Sequence, residues 1–204
     1  MTHKQKIAII APLVLVAVMY PIFQLLAGVF KENWRVEWWL GLFIYWMVWG
    51  GIFPWLLIGK EGLKSVIKPQ KLTTQTFFFV LFLVVMSSLY HFVPGMAYQK
   101  QNLLAYTLLV SSCFGNGFFE EVLWRGVYLE LFPDNFLFRV VWPTIWFALW
   151  HYAPGSVSPS GNVVGLMIGA GLMGFYLTYI AKKTKTIWWT ILAHTLGGLV
   201  ITLF

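Results

Sequence analysis

The sequence predicts an all-α fold: a polytopic membrane helical bundle of about seven transmembrane helices. Three observations carry that prediction. Of the 204 residues, 59% are hydrophobic and only 10% are charged, against roughly 45–50% and 25% in soluble domains. The apolar residues gather into long runs, and a helix needs ~20 of them to cross ~30 Å of hydrocarbon. No long hydrophilic stretch separates the runs, which leaves no room for a soluble domain. A disordered or fibrous chain is excluded by the same composition.

The candidate spans, in order, are residues 7–30, 38–58, 74–95, 103–126, 140–153, 163–181 and 187–204. The first is too long for a secretory signal peptide and lacks a small-residue cleavage site. The third and fourth carry polar residues, and the fifth is short, bounded by Pro143 and Pro154. With no repeat, linker or low-complexity segment, residues 1–204 read as one integral membrane domain, with a motif-bearing core at about 103–204.

The net charge of +7 is a topology signal. With the N-terminus in the cytoplasm, the cytoplasmic segments hold Lys4, Lys6, Lys60, Lys64, Lys68, Lys71, Arg125, Arg139, Lys182, Lys183 and Lys185, and the far side holds Lys31, Arg35 and Lys100. That asymmetry predicts N-inside and, for seven spans, C-outside. Trp38, Trp39, Trp188 and Trp189 fall at span ends, where interfacial aromatics belong. The basic residues are scattered between apolar runs, so nucleic acid is not a partner. Membrane lipid is. Cys113 is the only cysteine; it excludes an intrachain disulfide and a cysteine metal cluster and reads as a small packed residue.

Against this background a few polar residues stand out. Glu32, Glu37, Glu61 and Asp134 fall in loops or at helix ends, and Glu130 near the cytoplasmic interface. Glu120 and Glu121 instead follow the apolar run 103–119. A carboxylate at depth costs roughly 2.5–3.5 kcal/mol or more, so two adjacent ones call for a polar, partly hydrated interior. His3 sits in the N-terminal tail and His91 near the outer end of the third run. His151 and His194 each follow an aromatic apolar stretch. At ~1.5 Å per residue, His194 lies ~12 Å, His151 ~18 Å and Glu120 at most ~21 Å from the cytoplasmic boundary. Three separate helices thus bring a glutamate and two histidines to similar depth, where ionisable groups mark functional cavities. Glu121 and Arg125 are i,i+4 neighbours suited to an ion pair. Glu120 lies about 100° further round a regular helix; it is the freer carboxylate and suits a general base.

Glu120-Glu121-Val-Leu-Trp-Arg125 reads EExxxR, and Phe147-Ala-Leu-Trp-His151 reads FxxxH. With His194 opening the last helix and a glycine-rich run from Gly165 to Gly174 before it, this ordered set resembles the CPBP family. That family comprises the type II CAAX prenyl endopeptidases and the bacteriocin-processing or Abi membrane proteins. The resemblance covers about residues 103–204. It implies intramembrane endopeptidase activity at a glutamate, without a metal or other cofactor, on a membrane-associated peptide or lipidated protein. Glu120 is then the base, assisted by His151. His194 is the oxyanion donor or a proton shuttle, and Glu121 and Arg125 orient the Glu120 helix.

One position departs from the family pattern. Family members with protease chemistry commonly carry Asn four residues after the last histidine, where this chain has Gly198. Loss of an oxyanion donor can cost ~10²–10³ in rate. Asn116, one turn before Glu120, is the first candidate to substitute, with Thr195 and Asn162 as others. Three alternatives stay open. The same cavity can serve a non-catalytic peptide-binding or bacteriocin-immunity protein. Glu120, His151 and His194 can form a His₂Glu zinc set, although HExxH is absent. A proton-coupled carrier is the third, weakened by the lack of a repeated half.

Overall fold

The computed structural model describes residues 1–31, 33–89, 102–159 and 161–203. Glu32, His91, Lys100 and the end of the third run lie outside them. The fold is a helical membrane bundle, with no strand among the described residues. We number its helices α1 (His3–Val29), α2 (Trp34–Ile67), α3 (Thr74–Ser88), α4 (103–131), α5 (137–150), α6 (Val163–Thr184) and α7 (Trp188–Leu203). Each corresponds to one apolar run of the sequence. Of these, α1, α2 and α6 are long and apolar enough to cross a membrane, and α3 and α7 are shorter apolar helices.

Helices suit this chain because a backbone in hydrocarbon must satisfy its own polar groups. The ends show how. Thr2 and Gln5 form a reciprocal capping box at the start of α1, and Thr73 with Thr76 does the same for α3. Asn102 caps α4 through Ala105 N–H, and Asn162 caps α6 through Gly165 N–H. At Gly59 the α2 backbone turns to φ +70°, ψ 179°, a conformation open essentially to glycine, and kinks the helix. Lys185, at φ +56°, ends α6 in the left-handed cap geometry. The Thr186 hydroxyl then donates to the Val66 and Lys68 carbonyls, tying the α6–α7 turn to the end of α2.

The exterior carries the apolar residues that a soluble protein would bury. Ile10, Leu13 and Leu25 on α1, Phe78 and Phe82 on α3, and Ile168 and Leu172 on α6 all point outward. The interior is aromatic: Phe23 from α1, Tyr45 and Trp46 from α2, Trp124 and Tyr128 from α4, Phe147 and Trp150 from α5 form one cluster. It joins the N-terminal hairpin α1–α2 to the motif-bearing helices.

The fifth run differs from its expected bounds of 140–153. Helix α5 begins earlier, in a wide turn over Leu137–Val141, and stops at Trp150; a separate single turn, Tyr152–Gly155, follows. Pro143, which has no N–H to donate, sits inside α5 directly after that wide turn. His151 is the break between the two pieces.

α7 packs chiefly against α3 and also meets α4 at residues 116–120. That contact depends on Gly117: a side chain there would drive into Thr195 Oγ1. The absent Cβ lets the two backbones approach three residues before Glu120 and one after His194. Gly117→Ala is therefore expected to destabilise the bundle by about 1–3 kcal/mol, as overpacking does. Thr195→Ala, which removes the hydroxyl, is expected to restore part of the loss. Chemical denaturation in detergent micelles checks both; an unchanged midpoint in Gly117→Ala refutes the contact.

Candidate active site

α4 does not run as a regular helix where its carboxylates lie. Asn116–Glu120 and Val122–Gly126 are wide, π-type turns, a distortion that recurs at functional sites. More residues per turn means less rotation per residue. Glu120 and Glu121 are consequently less divergent than the regular-helix reading holds, and both meet the same partner, His194 of α7.

Glu121 is fully buried, Arg125 nearly so. The Arg125 Nη1–H group donates to Glu121 Oε1 at 3.0 Å, in the i,i+4 pairing that the sequence predicts. The same oxygen lies 2.8 Å from His194 Nδ1. An ionised carboxylate only accepts, so Nδ1 carries the proton. His194 Nε2 then faces Glu120 Oε2 at 3.7 Å. Two carboxylates, one guanidinium and one imidazole therefore form a single cluster between α4 and α7.

The guanidinium is also shaped from above. Its Cζ lies 4.2 Å from the Phe147 ring centroid, a cation–π contact. A Cβ at Gly174 of α6 would sit 2.7 Å from Phe147 Cδ1 and 3.1 Å from Arg125 Nη2. The glycine in α6 thus makes the space that the arginine and phenylalanine share. Arg125 Nε and Nη2 and Glu121 Oε2 are buried without a protein hydrogen-bond partner.

Glu120 has its own donor. Trp150 Nε1–H donates to Glu120 Oε1 at 3.1 Å. The Trp150 ring stacks on Tyr45 with centroids 4.0 Å apart and 21° between planes. Trp124 Nε1–H in turn donates to the Tyr45 hydroxyl oxygen at 2.8 Å.

His151 takes its position from the break in α5. Its backbone N–H turns to Ala148 O, and its Nδ1 lies 2.7 Å from Phe147 O. A carbonyl can only accept, so Nδ1 carries the proton and the neutral ring leaves Nε2 as an acceptor. The ring stands edge-on to Phe147 at 4.7 Å, and His194 stands at 90° to the same ring at 6.4 Å. Phe147 thus contacts both histidines. No ion pair within 4.0 Å links His151 to Glu120.

The remaining candidates lie apart. The Asn116 amide oxygen accepts from Trp46 Nε1 at 2.9 Å, which turns it toward α2 rather than to Glu120. Thr195 packs against Gly117, and Asn162 caps α6. A Cβ at Gly198 would lie 3.2 Å from Cys113 Sγ, so that position faces α4 and is closed by the cysteine. Two small cavities, the larger about 40 Å³, lie between α2 and α4 around Arg35 and Leu108, away from the carboxylates. Among the described residues no three His, Cys, Asp or Glu side chains form a metal-holding group.

Sequence reasoning missed Trp150, Tyr45 and the Glu121–His194 contact. A signal for Trp150 was present: a buried indole N–H needs an acceptor, and near residue 150 the chain offers few besides the paired carboxylates.

Compared with known families, residues 101–200 match the family model described as Type II CAAX prenyl endopeptidase Rce1-like. No curated protein and no solved structure matches the chain.

Breaking a buried ion pair from one side leaves an uncompensated charge and costs ~3–5 kcal/mol. Arg125→Met is expected to destabilise by that amount. Combining it with Glu121→Gln is expected to cost at least ~1 kcal/mol less than the two single losses together. Denaturation midpoints of the four proteins in detergent check this; strict additivity refutes the pair.

Proposed function

We propose that this chain, which belongs through residues 101–200 to the Rce1-like family of type II CAAX prenyl endopeptidases, is an intramembrane endopeptidase that activates water with Glu120. The family is one of membrane endopeptidases. The glutamate mechanism, its independence of metal, the residue roles and the substrate are our reading. The observation that carries it is the approach of Glu120 Oε2 to His194 Nε2 at 3.7 Å, with the opposite edge of each group already tethered. That gap exceeds a hydrogen bond, and one water can touch both atoms.

Glu120 Oε2 takes a proton from the water, and the oxygen attacks the scissile carbonyl carbon. The C=O π pair moves onto oxygen, where protonated His194 donates from Nε2–H. As the intermediate collapses the C–N bond breaks, and the proton on Glu120 passes to the leaving nitrogen. His151 Nε2, free as an acceptor, assists by holding the water. Glu121 keeps the His194 ring in register through Nδ1–H, and Arg125 neutralises Glu121. With both carboxylates ionised and His194 protonated, the four groups sum to zero charge, as an interior cluster requires.

Seven spans, a cytoplasmic N-terminus and an outer C-terminus complete the proposal, as does a single domain over residues 1–204. They put the buried cluster in the cytoplasmic half, on the side from which a prenylated or otherwise membrane-anchored peptide would arrive. A second reading is favoured by Gly198: with Cys113 closing that position, no side chain there supplies a second oxyanion donor. The same cluster then binds a peptide without turnover, as in an immunity protein.

One assay separates the readings. The purified protein in detergent is expected to cleave a farnesylated CAAX peptide, with Glu120→Gln lowering kcat by at least ~10³-fold and chelator without effect. Cleavage that chelator abolishes and zinc restores replaces the mechanism with a metal one. Peptide binding without cleavage, unchanged in Glu120→Gln, supports the non-catalytic reading.

A further inference from the structure

We propose that Trp150 and Tyr45 are positioning residues for Glu120, so that the N-terminal helices are part of the active site; this rests on Glu120 acting as the base. Glu120 has two carboxylate oxygens with different surroundings. Oε1 accepts from the Trp150 indole at 3.1 Å; Oε2 faces His194. An indole N–H has one direction, so it fixes which oxygen is held and which is left for water. The remaining freedom of the carboxylate is rotation about its own side chain, which that hydrogen bond stops.

The indole can do this only if it is itself immobile. It sits in the break-terminated last turn of α5, and Tyr45 of α2 stacks on its face at 4.0 Å. The tyrosine is held in turn by Trp124 from α4, the residue directly before Arg125. All three aromatics are buried. The result is a closed circuit: Glu120 and Trp124 on α4, Trp150 on α5, Tyr45 on α2. Two of its joints are hydrogen bonds and one is a ring stack. Tyr45 lies outside residues 101–200, the part matched by the family model. The matched half therefore lacks one wall of its own base.

The roles of the two residues differ in kind. Trp150→Phe keeps an aromatic ring against Tyr45 and removes only the donor. Tyr45→Leu keeps the donor and removes the stack that orients it. Because both residues act through Glu120, both changes are expected to act on the chemical step and not on binding. A misplacement of a catalytic group by about 1 Å costs on the order of 10²-fold.

The test uses the full chain in detergent, with two readouts. The first is kcat and KM on a farnesylated CAAX peptide. The second is the infrared carboxyl band of Glu120, assigned by its loss in Glu120→Gln and recorded whether or not the protein cleaves. Trp150→Phe is expected to lower kcat about tenfold to a hundredfold with KM within about twofold, to shift the Glu120 band, and to have no further effect on kcat in the Glu120→Gln background. Tyr45→Leu, with the indole intact, reads the same two quantities should Trp150→Phe not fold, and is expected to broaden or shift the band. Wild-type kcat or an unmoved band in a folded Trp150→Phe overturns the proposal. A wild type that cleaves nothing overturns the peptidase reading instead, and the band alone then decides whether Trp150 holds Glu120.

Discussion

The structure depends on one constraint: a carboxylate inside an apolar bundle must be neutralised by groups the bundle itself supplies. Glu121 is where that constraint is met. Its Oε1 receives both the Arg125 guanidinium and His194 Nδ1–H. Neither partner is optional, because each unpaired charge at such depth costs several kcal/mol. From this follow features that otherwise look unrelated. α4 widens its turns so that adjacent glutamates share one histidine. α6 carries a glycine at 174 where the arginine and Phe147 need room, and α4 carries one at 117 so that α7 can come close enough to deliver His194. Two glycines, Gly117 and Gly174, thus make the room that the charge cluster needs.

Much of the fold was legible because the membrane imposes a length and a composition on every helix. All seven apolar runs became helices, and the errors lie at their ends, where propensity and lipid say little. The break at His151 is the instructive case. Pro143 and Pro154 marked the fifth run as short, yet the decisive event is local: the chain stops at Trp150, frees the Phe147 carbonyl, and His151 takes it. The Glu121–Arg125 pair was legible from i,i+4 spacing because it lies within one helix. The pairing of Glu121 with His194 was not, because it spans 73 residues and depends on turn widths that no spacing rule gives. Asn116 shows the converse. One turn before Glu120 it looked like a site residue, but a wide turn and the Trp46 indole aim it at α2.

Of the aromatic content, 39 residues of Trp, Tyr and Phe, only Trp38, Trp39, Trp188 and Trp189 read from the sequence as interfacial anchors. Part of it does another job. A rigid site in a membrane protein has few polar side chains with which to build supporting contacts. Trp and Tyr supply large apolar surfaces that pack with the bundle and one polar atom each. Trp46 to Asn116, Trp124 to Tyr45 and Trp150 to Glu120 are three uses of the same device.

Under the proposed mechanism, the same closure that makes the cluster costly also makes it useful. Glu120, Glu121, Arg125 and His194 balance to zero when both carboxylates are ionised and the imidazole is protonated. When Glu120 accepts a proton from water the balance moves to +1, and the negative charge reappears on the attacked carbonyl oxygen, beside His194. The transition state therefore restores neutrality that the first proton transfer disturbs, without recruiting a counter-ion from solvent. Stabilisation of that kind needs fixed dipoles and charges rather than many donors. It offers a physical route by which a site with glycine at position 198 retains catalysis: the donor lost there is one of two influences on the oxyanion, and the other, the charge of the cluster as a whole, does not pass through that residue.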